Sequence, residues 1–308
     1  MKRKVLSAGL CLTAAVVWGS AFYAQELASQ NEHLIDTFFF GGLRFLLGAV
    51  SLIPLILIFE RDKSVPLLER KMKNESTMKW GILTGVILFV ASLLQQYGIL
   101  LTQESGKAGF ITGMYLIFVP IAGFLFFKQR VSPLVIAAVL FAFSGLYFLC
   151  LGESGFNLVW GDVLVFICSF CYTAHIIVID KCINKVSALK YSAVQFATVG
   201  VLNLSFGLVF GHITVEGLIA TVFPILYCGI MSTGVAYTCQ VIGQKFTPPT
   251  IAALLFSTEG LFSVICESIF EKRLPSNTMI IGCALMFVGI ILSQIPWKRK
   301  EKASKAKE

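Results

Sequence analysis

Four charged residues lie within or near the ends of long apolar stretches: Glu26, Arg44, Glu259 and Glu267. A charge at the centre of a membrane-spanning helix costs about 2.5–3.5 kcal/mol, so such residues are usually retained for a function. Glu259 lies deepest, where a carboxyl group can carry a proton or pair with a cation. Glu26 and Glu267 lie close enough to the ends of their stretches to reach water. We predict a coupling network of these four residues; the alternative for Arg44 is helix packing, by pairing with an acid or a carbonyl.

Three neutral polar residues accompany these charges. Gln95 and Gln240 are amides in apolar surroundings, and His175 can exchange a proton near neutral pH. An amide in hydrocarbon needs a partner, which gives two interpretations. The two glutamines either hold helices together or face a cavity as a hydrogen-bonding pair. His175 is either a structural hydrogen-bonding residue or a proton relay.

Five aromatic residues complete the predicted binding site: Trp18, Tyr23, Tyr115, Tyr172 and Tyr237. Each has an apolar ring with a polar atom, a combination typical of pockets for small organic molecules. Aromatic residues also pack cores and interfaces, and this alternative stays open for each of them. We therefore predict a substrate-binding set of these five, together with Gln95, His175, Gln240 and Glu259.

Small residues and one proline indicate where helices move. Gly109 and Gly113 form a small-xxx-small pattern that permits close helix contact and sliding. Pro120 follows in the same stretch and should kink its helix, because proline removes a backbone hydrogen bond. We predict that these three residues belong to a gate.

Motifs for covalent chemistry are missing from the sequence. There is no His-Glu-x-x-His, no nucleotide-binding loop and no pair of aspartates in an apolar stretch with a glycine partner. Cys168-x-x-Cys171 has the spacing of a redox or metal pair, but it lies in an apolar helix without a second pair. We expect no catalytic residue, no metal and no cofactor.

The elements that must position these residues are long and apolar. Of 308 residues, 56% are hydrophobic and 14% are charged, which excludes soluble domains and disorder. Roughly 20 apolar residues span a bilayer as a helix. The sequence holds ten such stretches, at 5–28, 36–59, 79–101, 107–127, 132–151, 159–179, 189–210, 217–242, 249–270 and 275–296. We predict an all-α membrane protein with ten transmembrane helices.

Lysine and arginine indicate the orientation, because cytoplasmic loops are enriched in both. With the N-terminus inside, 21 of the 25 lie in cytoplasmic segments, including a basic tail at 298–308. Only Lys107, Lys272 and Arg273 fall outside, and Arg44 lies within a helix. Both termini are therefore expected in the cytoplasm. The basic balance indicates contact with anionic lipid, and we expect no nucleic-acid partner. Short loops and a lysine-rich tail are typical of a bacterial inner membrane.

The second half of the sequence repeats the first. A shift of 145 residues aligns five identical pairs: Ala91 with Ala236, Gln95 with Gln240, Gly98 with Gly243, Thr102 with Thr247 and Ala108 with Ala253. Shifts of 143 and 144 then pair Phe127 with Phe270 and Gly145 with Gly289. We predict five-helix domains at 1–151 and 152–297. Because five is odd, the second domain enters the membrane inverted, an architecture typical of secondary transporters.

The motifs of both halves resemble the EamA-type drug/metabolite transporters. In the first half they are Trp18-Gly19-Ser20, Arg44-Phe45-Leu46-Leu47-Gly48-Ala49, and the segment from Gln95 through Gly113 to Val119-Pro120. In the second half they are Ser232-Thr233-Gly234-Val235-Ala236-Tyr237, Gln240, Gly243-Gln244-Lys245, Ala252-Ala253-Leu254-Leu255 and Glu259. The sequence departs from the family pattern at Gly260, where proline is usual, and at Cys171, where tryptophan is usual.

This resemblance implies a cavity formed by the first, third, fourth, sixth, eighth and ninth helices, with the fifth and tenth outside it. It also implies a carrier of amino acids, other metabolites or drugs. We predict a secondary-active transporter that exports a small organic metabolite by alternating access, with protons as a candidate coupling ion. A channel or a lipid scramblase is the alternative, and an intramembrane enzyme is a weaker one.

Overall fold

The computed structural model describes residues 2–60, 67–102, 105–128, 131–151, 158–270, 272 and 276–295. These residues form helices and connecting turns; one isolated bridge pairs Ile35 with Ile213. The predicted tail at 298–308 and Arg273 lie outside the described residues. The helix bounds are α1 Lys2–Ser29, α2 Thr37–Ser51, α3 Ile53–Phe59, α4 Leu67–Thr102, α5 Ser105–Thr112, α6 Tyr115–Phe127, α7 Pro133–Leu151, α8 Trp160–Cys182, α9 Ala188–Phe210, α10 Val215–Ala220, α11 Val222–Leu226, α12 Thr238–Gln244, α13 Pro249–Phe256, α14 Glu259–Phe270 and α15 Asn277–Gln294. A π-helix, Tyr227–Tyr237, joins α11 to α12.

Within the described residues, eight helical segments are long and apolar enough to cross a membrane. They are Arg3–Ser29, Thr37–Phe59, Lys71–Thr102, Gly106–Phe127, Trp160–Lys185, Ala188–Phe210, Val222–Gln244 and Pro249–Phe270. Two shorter apolar helices, Pro133–Phe148 and Asn277–Ser293, fall in the remaining predicted stretches. The prediction of an all-helical membrane protein is confirmed; the count of ten spans stays a prediction.

Helix α4 extends beyond its predicted stretch. It begins at Leu67 rather than residue 79, because charges of opposite sign lie four residues apart along its first turns. Glu69 with Lys73 and Glu75 with Lys79 are such pairs, which stabilise an exposed helix. The helix therefore continues past the apolar segment.

Two of the long segments are broken at matching places. The break between α5 and α6 lies at Gly113–Met114, and the break between α13 and α14 lies at Ser257–Thr258, 144 residues later. At both breaks a backbone N–H bonds to the carbonyl three residues earlier, as in a 3₁₀-helix: Met114 N–H to Ile111 O, and Thr258 N–H to Leu255 O. Pro120, which was predicted to kink this segment, lies inside α6, after the break.

Two further features recur at the same spacing. Lys128, directly after α6, and Lys272, just after α14, both have a left-handed backbone, with φ of 52° and 55°. Helices α7 and α15 pack against each other through equivalent glycines. Gly145 lies against Met286, and Gly289 lies against Ala142. Each helix thus contributes one glycine to this contact, 144 residues apart in the sequence, which favours the two-repeat prediction.

A polar cluster ties the turn after α1 to the turn after α9. The Asp36 carboxylate accepts the Phe39 N–H over 2.9 Å, capping α2, and also accepts the His212 N–H. The Glu32 carboxylate accepts the N–H and the hydroxyl of Thr37 over 3.1 and 3.0 Å. Both carboxylates of the turn after α1 thus accept backbone N–H groups, and one of these N–H groups belongs to the turn after α9.

Removing the Glu32 charge should change how stability depends on pH. Burial raises the pKa of the Glu32 carboxyl above its usual value, although the two bonds from Thr37 lower it. The folded state therefore binds this proton more tightly than the unfolded state. The contribution of Glu32 is fully present below the unfolded pKa, about 4.3, and is lost as the pH rises through the folded pKa. Glu32→Gln should lack this gain on acidification.

Thermal unfolding of wild type and Glu32→Gln between about pH 7 and about pH 4.5 measures the difference. Asp36 and His212 are present in both proteins, so only the part of their titration that depends on the Glu32 charge enters the comparison. Glu216→Gln, at an exposed residue of α10, is the matched control and should follow wild type. Parallel pH curves for wild type and Glu32→Gln would contradict the prediction.

Candidate functional site

The two helix breaks meet at the centre of the bundle. Tyr115 is the first residue of α6 and Glu259 is the first residue of α14, 144 positions apart. The Tyr115 hydroxyl donates a hydrogen bond of 2.8 Å to Oε1 of Glu259. Both side chains are buried, with 3% and 5% exposure. The phenol thus satisfies one oxygen of a carboxylate for which the described residues provide no ion-pair partner.

A cavity of about 40 Å³ surrounds this hydrogen bond. It has room for a few water molecules, since one needs about 10–15 Å³, whereas sites for organic ligands usually measure about 300–1,000 Å³. The cavity is therefore smaller than an organic ligand requires, and a larger ligand requires movement of the surrounding residues. The lining residues are Trp18, Phe22, Gln25, Arg44, Gln95, Thr112, Tyr115, Tyr172, Ile176, Ser232, Tyr237, Gln240, Phe256 and Glu259.

One wall of the cavity is aromatic. Trp18 contacts Tyr237 edge-on at 4.7 Å between ring centroids, and Phe256 at 5.5 Å. The Trp18 indole N–H donates to the Ser232 carbonyl over 3.2 Å, which fixes the ring. Tyr172 adds its hydroxyl 3.4 Å from that of Tyr237. Aromatic faces with nearby hydroxyls can accommodate apolar groups or an organic cation.

The two predicted glutamines both line the cavity but differ in their partners. Gln95 accepts from the Tyr172 hydroxyl over 3.1 Å and donates to the Thr112 hydroxyl over 3.2 Å. Gln240 has a buried Oε1 atom with no partner among the described residues. Gln95 therefore holds helices α4, α5 and α8 together, while Gln240 offers a free acceptor to a ligand.

Arg44 reaches the cavity from α2, a helix that the family resemblance had not included around it. The side chain is 4% exposed and donates from Nη1 to the Gln25 side-chain oxygen over 2.9 Å. Its guanidinium carbon lies 4.9 Å from the Phe45 ring centroid and 5.3 Å from that of Phe40. Nε has no partner among the described residues. A neutral amide, rather than an acid, thus anchors this cation.

Gln25 lines the cavity but was not predicted from the sequence as a site residue. It also accepts, through its backbone carbonyl, a bond from the Gln96 side chain over 3.1 Å, so it joins α1 to both α2 and α4. A polar residue beside Glu26 in an apolar stretch was the available signal. Because that position is near the end of the stretch, water was an equally good partner.

Comparison with known proteins identifies the family. The profile of the EamA-like transporter family matches residues 5–151 and again residues 159–294. The chain belongs to this family. It is an integral membrane protein and a transporter, and its family implies a small-molecule substrate and contact with membrane lipid.

Two relatives align with this transporter over nearly its whole length. An uncharacterized transporter of Archaeoglobus fulgidus is 26% identical over 95% of this chain and 86% of its own. The uncharacterized transporter YetK of Bacillus subtilis is 24% identical over 99% and 92%. A solved crystal structure, 17% identical, superimposes with a TM-score of 0.74 over 94% of this chain and 95% of the other. That likeness shows the fold.

Two predicted binding residues of the transporter do not line the cavity. His175 lies behind Tyr237, with 6.1 Å between ring centroids, and bonds to the Gln195 side chain over 3.1 Å. Tyr23 stacks on Phe270 at 4.9 Å. The structure therefore brings neither ring to the Glu259 carboxyl, and a relay through His175 requires rearrangement.

Four of the remaining predicted residues, Glu26, Gly109, Gly113 and Pro120, are not among the lining residues of the cavity. Glu26 is half-buried on α1 and is not among the lining residues, and the Glu267 side chain is outside what the structure describes. Gly109 lies 3.8 Å from the Gly260 α-carbon, measured from the position of a β-carbon, so α5 and α14 come close there. Gly113 forms the break itself, whereas Pro120 lies against α7 in an apolar groove.

Proposed function

We propose that this transporter is a secondary carrier that exports a small organic metabolite by alternating access. The observation that carries the proposal is the hydrogen bond between Tyr115 and Glu259 at the meeting point of two broken helices. Broken helices at the centre of the membrane are typical binding sites of secondary transporters. The proposal assigns no covalent chemistry to the chain.

Glu259 is the proposed binding group for a proton or a cationic group of the substrate. A ligand that approaches its carboxylate competes with the Tyr115 hydroxyl for Oε1, and a proton on the carboxyl weakens both interactions. Substrate and proton would then occupy the same group in turn, which couples their movements. Trp18, Tyr237 and Gln240 supply apolar, aromatic and hydrogen-bonding contacts to the rest of the ligand.

Two inverted five-helix domains, 1–151 and 152–297, are part of the proposal. The two family matches, at 5–151 and 159–294, support this division. The paired helix breaks and the paired left-handed lysines support it as well. Two halves of similar shape can exchange conformations, which gives inward-open and outward-open forms of similar energy.

The proposed orientation has the protein in the inner membrane of its cell, with both termini in the cytoplasm. The lysine and arginine distribution supports this orientation. It places Asp162, at the start of α8, near the outer surface and Ser7, near the start of α1, at the inner surface. The proposed direction of transport is export.

Ligand screening followed by counterflow tests the proposal. Purified protein is heated with amino acids, amines, sugars, nucleosides and lipophilic cations at about pH 6 and about pH 8. A ligand at a hundred times its dissociation constant adds about 2.7 kcal/mol of stability. Each hit is then tested in proteoliposomes, where a carrier should show saturable counterflow of labelled ligand against unlabelled ligand. Flux without counterflow indicates a channel, and movement of labelled lipid alone indicates a scramblase; either result contradicts the proposal.

A further inference from the structure

One end of the helix bundle holds a buried ion pair. Lys107, in the first turn of α5, lies 2.8 Å from Oδ2 of Asp162, in the first turn of α8, and both side chains are buried. Beside it α4 packs closely on α8. A β-carbon on Gly98 would lie 3.0 Å from the Gly161 carbonyl oxygen and would overlap the Val165 side chain.

The opposite end of the bundle repeats this packing without the ion pair. There α12 packs on α1, and a β-carbon on Gly243 would lie 3.0 Å from the Ser7 carbonyl oxygen and 2.7 Å from Cys11 Sγ. Gly243 is the repeat equivalent of Gly98. Its contacts, Ser7 and Cys11, are four residues apart, as are the two contacts of Gly98. A neutral hydrogen bond of 2.9 Å between the Ser7 and Thr247 hydroxyls joins the two elements.

Alanines occupy the positions that correspond to the ion pair. Asp162 follows Gly161 as Ala8 follows Ser7, and Lys107 precedes Ala108 as Ala252 precedes Ala253. The two ends therefore share one packing arrangement, but only one of them brings two opposite charges together in it.

We propose that Lys107 and Asp162 form a gate ion pair, in which Lys107 compensates the buried Asp162 charge and thereby allows their end of the transporter to stay closed. The inference rests on the proposed alternating access, in which equivalent contacts at the two ends open in turn. In the closed form the buried Asp162 carboxylate is compensated by Lys107, and in the open form water reaches both side chains. Removing the Lys107 charge leaves the Asp162 charge buried without this cation in the closed form alone, so it favours opening.

Cysteine labelling tests the gate ion pair. Val165→Cys places a thiol at this end in the position that native Cys11 occupies at the other, and both positions are fully buried in the structure. Labelling by a water-soluble maleimide is read for each peptide by mass spectrometry. Fully buried Cys228, which lies at neither end, reports general unfolding.

Lys107→Met should raise the labelling rate of residue 165 by about tenfold, with Cys11 and Cys228 unchanged. Asp162 still accepts the Val159 N–H that caps α8 over 2.8 Å in this variant, so the helix start is retained. Lys107→Met combined with Asp162→Asn removes both charges and should return the rate to within about threefold of the parent. Thr247→Ala, the matched control at the other end, should not change labelling of residue 165.

Two results overturn the gate ion pair. One is an unchanged rate at residue 165 in Lys107→Met, and the other is an equal rise at Cys11 and Cys228, which indicates general loosening. The labelling needs no substrate, so its result is independent of flux. Unchanged labelling in a protein with counterflow removes the gate ion pair alone, whereas a normal labelling response without counterflow removes the carrier proposal.

Discussion

Glu259→Gln should lower counterflow by about tenfold or more and abolish the pH dependence of flux, while thermal stability stays close to wild type. Glutamine has the shape of glutamate, and its side-chain oxygen can still accept the Tyr115 hydroxyl. It cannot hold a proton or pair with a cation. Initial rates of counterflow in proteoliposomes at several pH values measure the loss, and thermal unfolding in detergent checks the fold.

Two further variants isolate the role of this carboxyl. Glu216→Gln removes an exposed carboxyl from α10 and should leave flux unchanged. Tyr115→Phe removes the hydroxyl that Glu259 accepts but keeps the negative charge, so pH dependence should persist. Unaltered flux with unaltered pH dependence in a folded Glu259→Gln protein removes Glu259 from the mechanism.

Gly98→Ala should lower the free energy of unfolding by about 1–3 kcal/mol, because the new methyl group overpacks the contact between α4 and α8. The methyl overlaps Val165, whose branched side chain has few alternative rotamers. The Gly161 backbone on the other side is also close. Chemical or thermal unfolding in one detergent measures the change.

The matched control is Gly9→Ala in α1, where a β-carbon meets no atom within 4 Å. Alanine in an open helix position should raise the free energy of unfolding by about 0.5–1 kcal/mol. Val165→Ala combined with Gly98→Ala removes the overlapping methyl groups and should recover part of the loss. A Gly98→Ala protein as stable as Gly9→Ala would show that the two helices separate freely at this point.

Composition and the length of the apolar stretches were enough to predict the helical membrane fold. Insertion into hydrocarbon depends mainly on the length and polarity of each segment, and both are local properties of the chain. The same reasoning predicted Glu259, Gln95 and Gln240 as site residues, because a polar group deep in an apolar segment needs a partner or a ligand. All three line the cavity.

Contacts between helices could not be predicted in the same way. Lys107 was counted as a loop lysine because nothing near it in the chain indicates its bond to Asp162. The break at Ser257–Thr258 has neither glycine nor proline, and the hydroxyls of both residues bond back to the preceding turn, to Leu254 and Leu255. Such side-chain bonds compete with the helix only where the surroundings favour the bend.

Tyr115 and Glu259 occupy equivalent positions in the two halves of the chain, yet one is a donor and the other an acceptor. A symmetric dimer of first halves would set two phenols against each other, and a dimer of second halves would set two carboxyls. Neither homodimer could form the bond seen at the centre of this molecule. A single polypeptide that carries both halves therefore supplies one donor and one acceptor in every molecule.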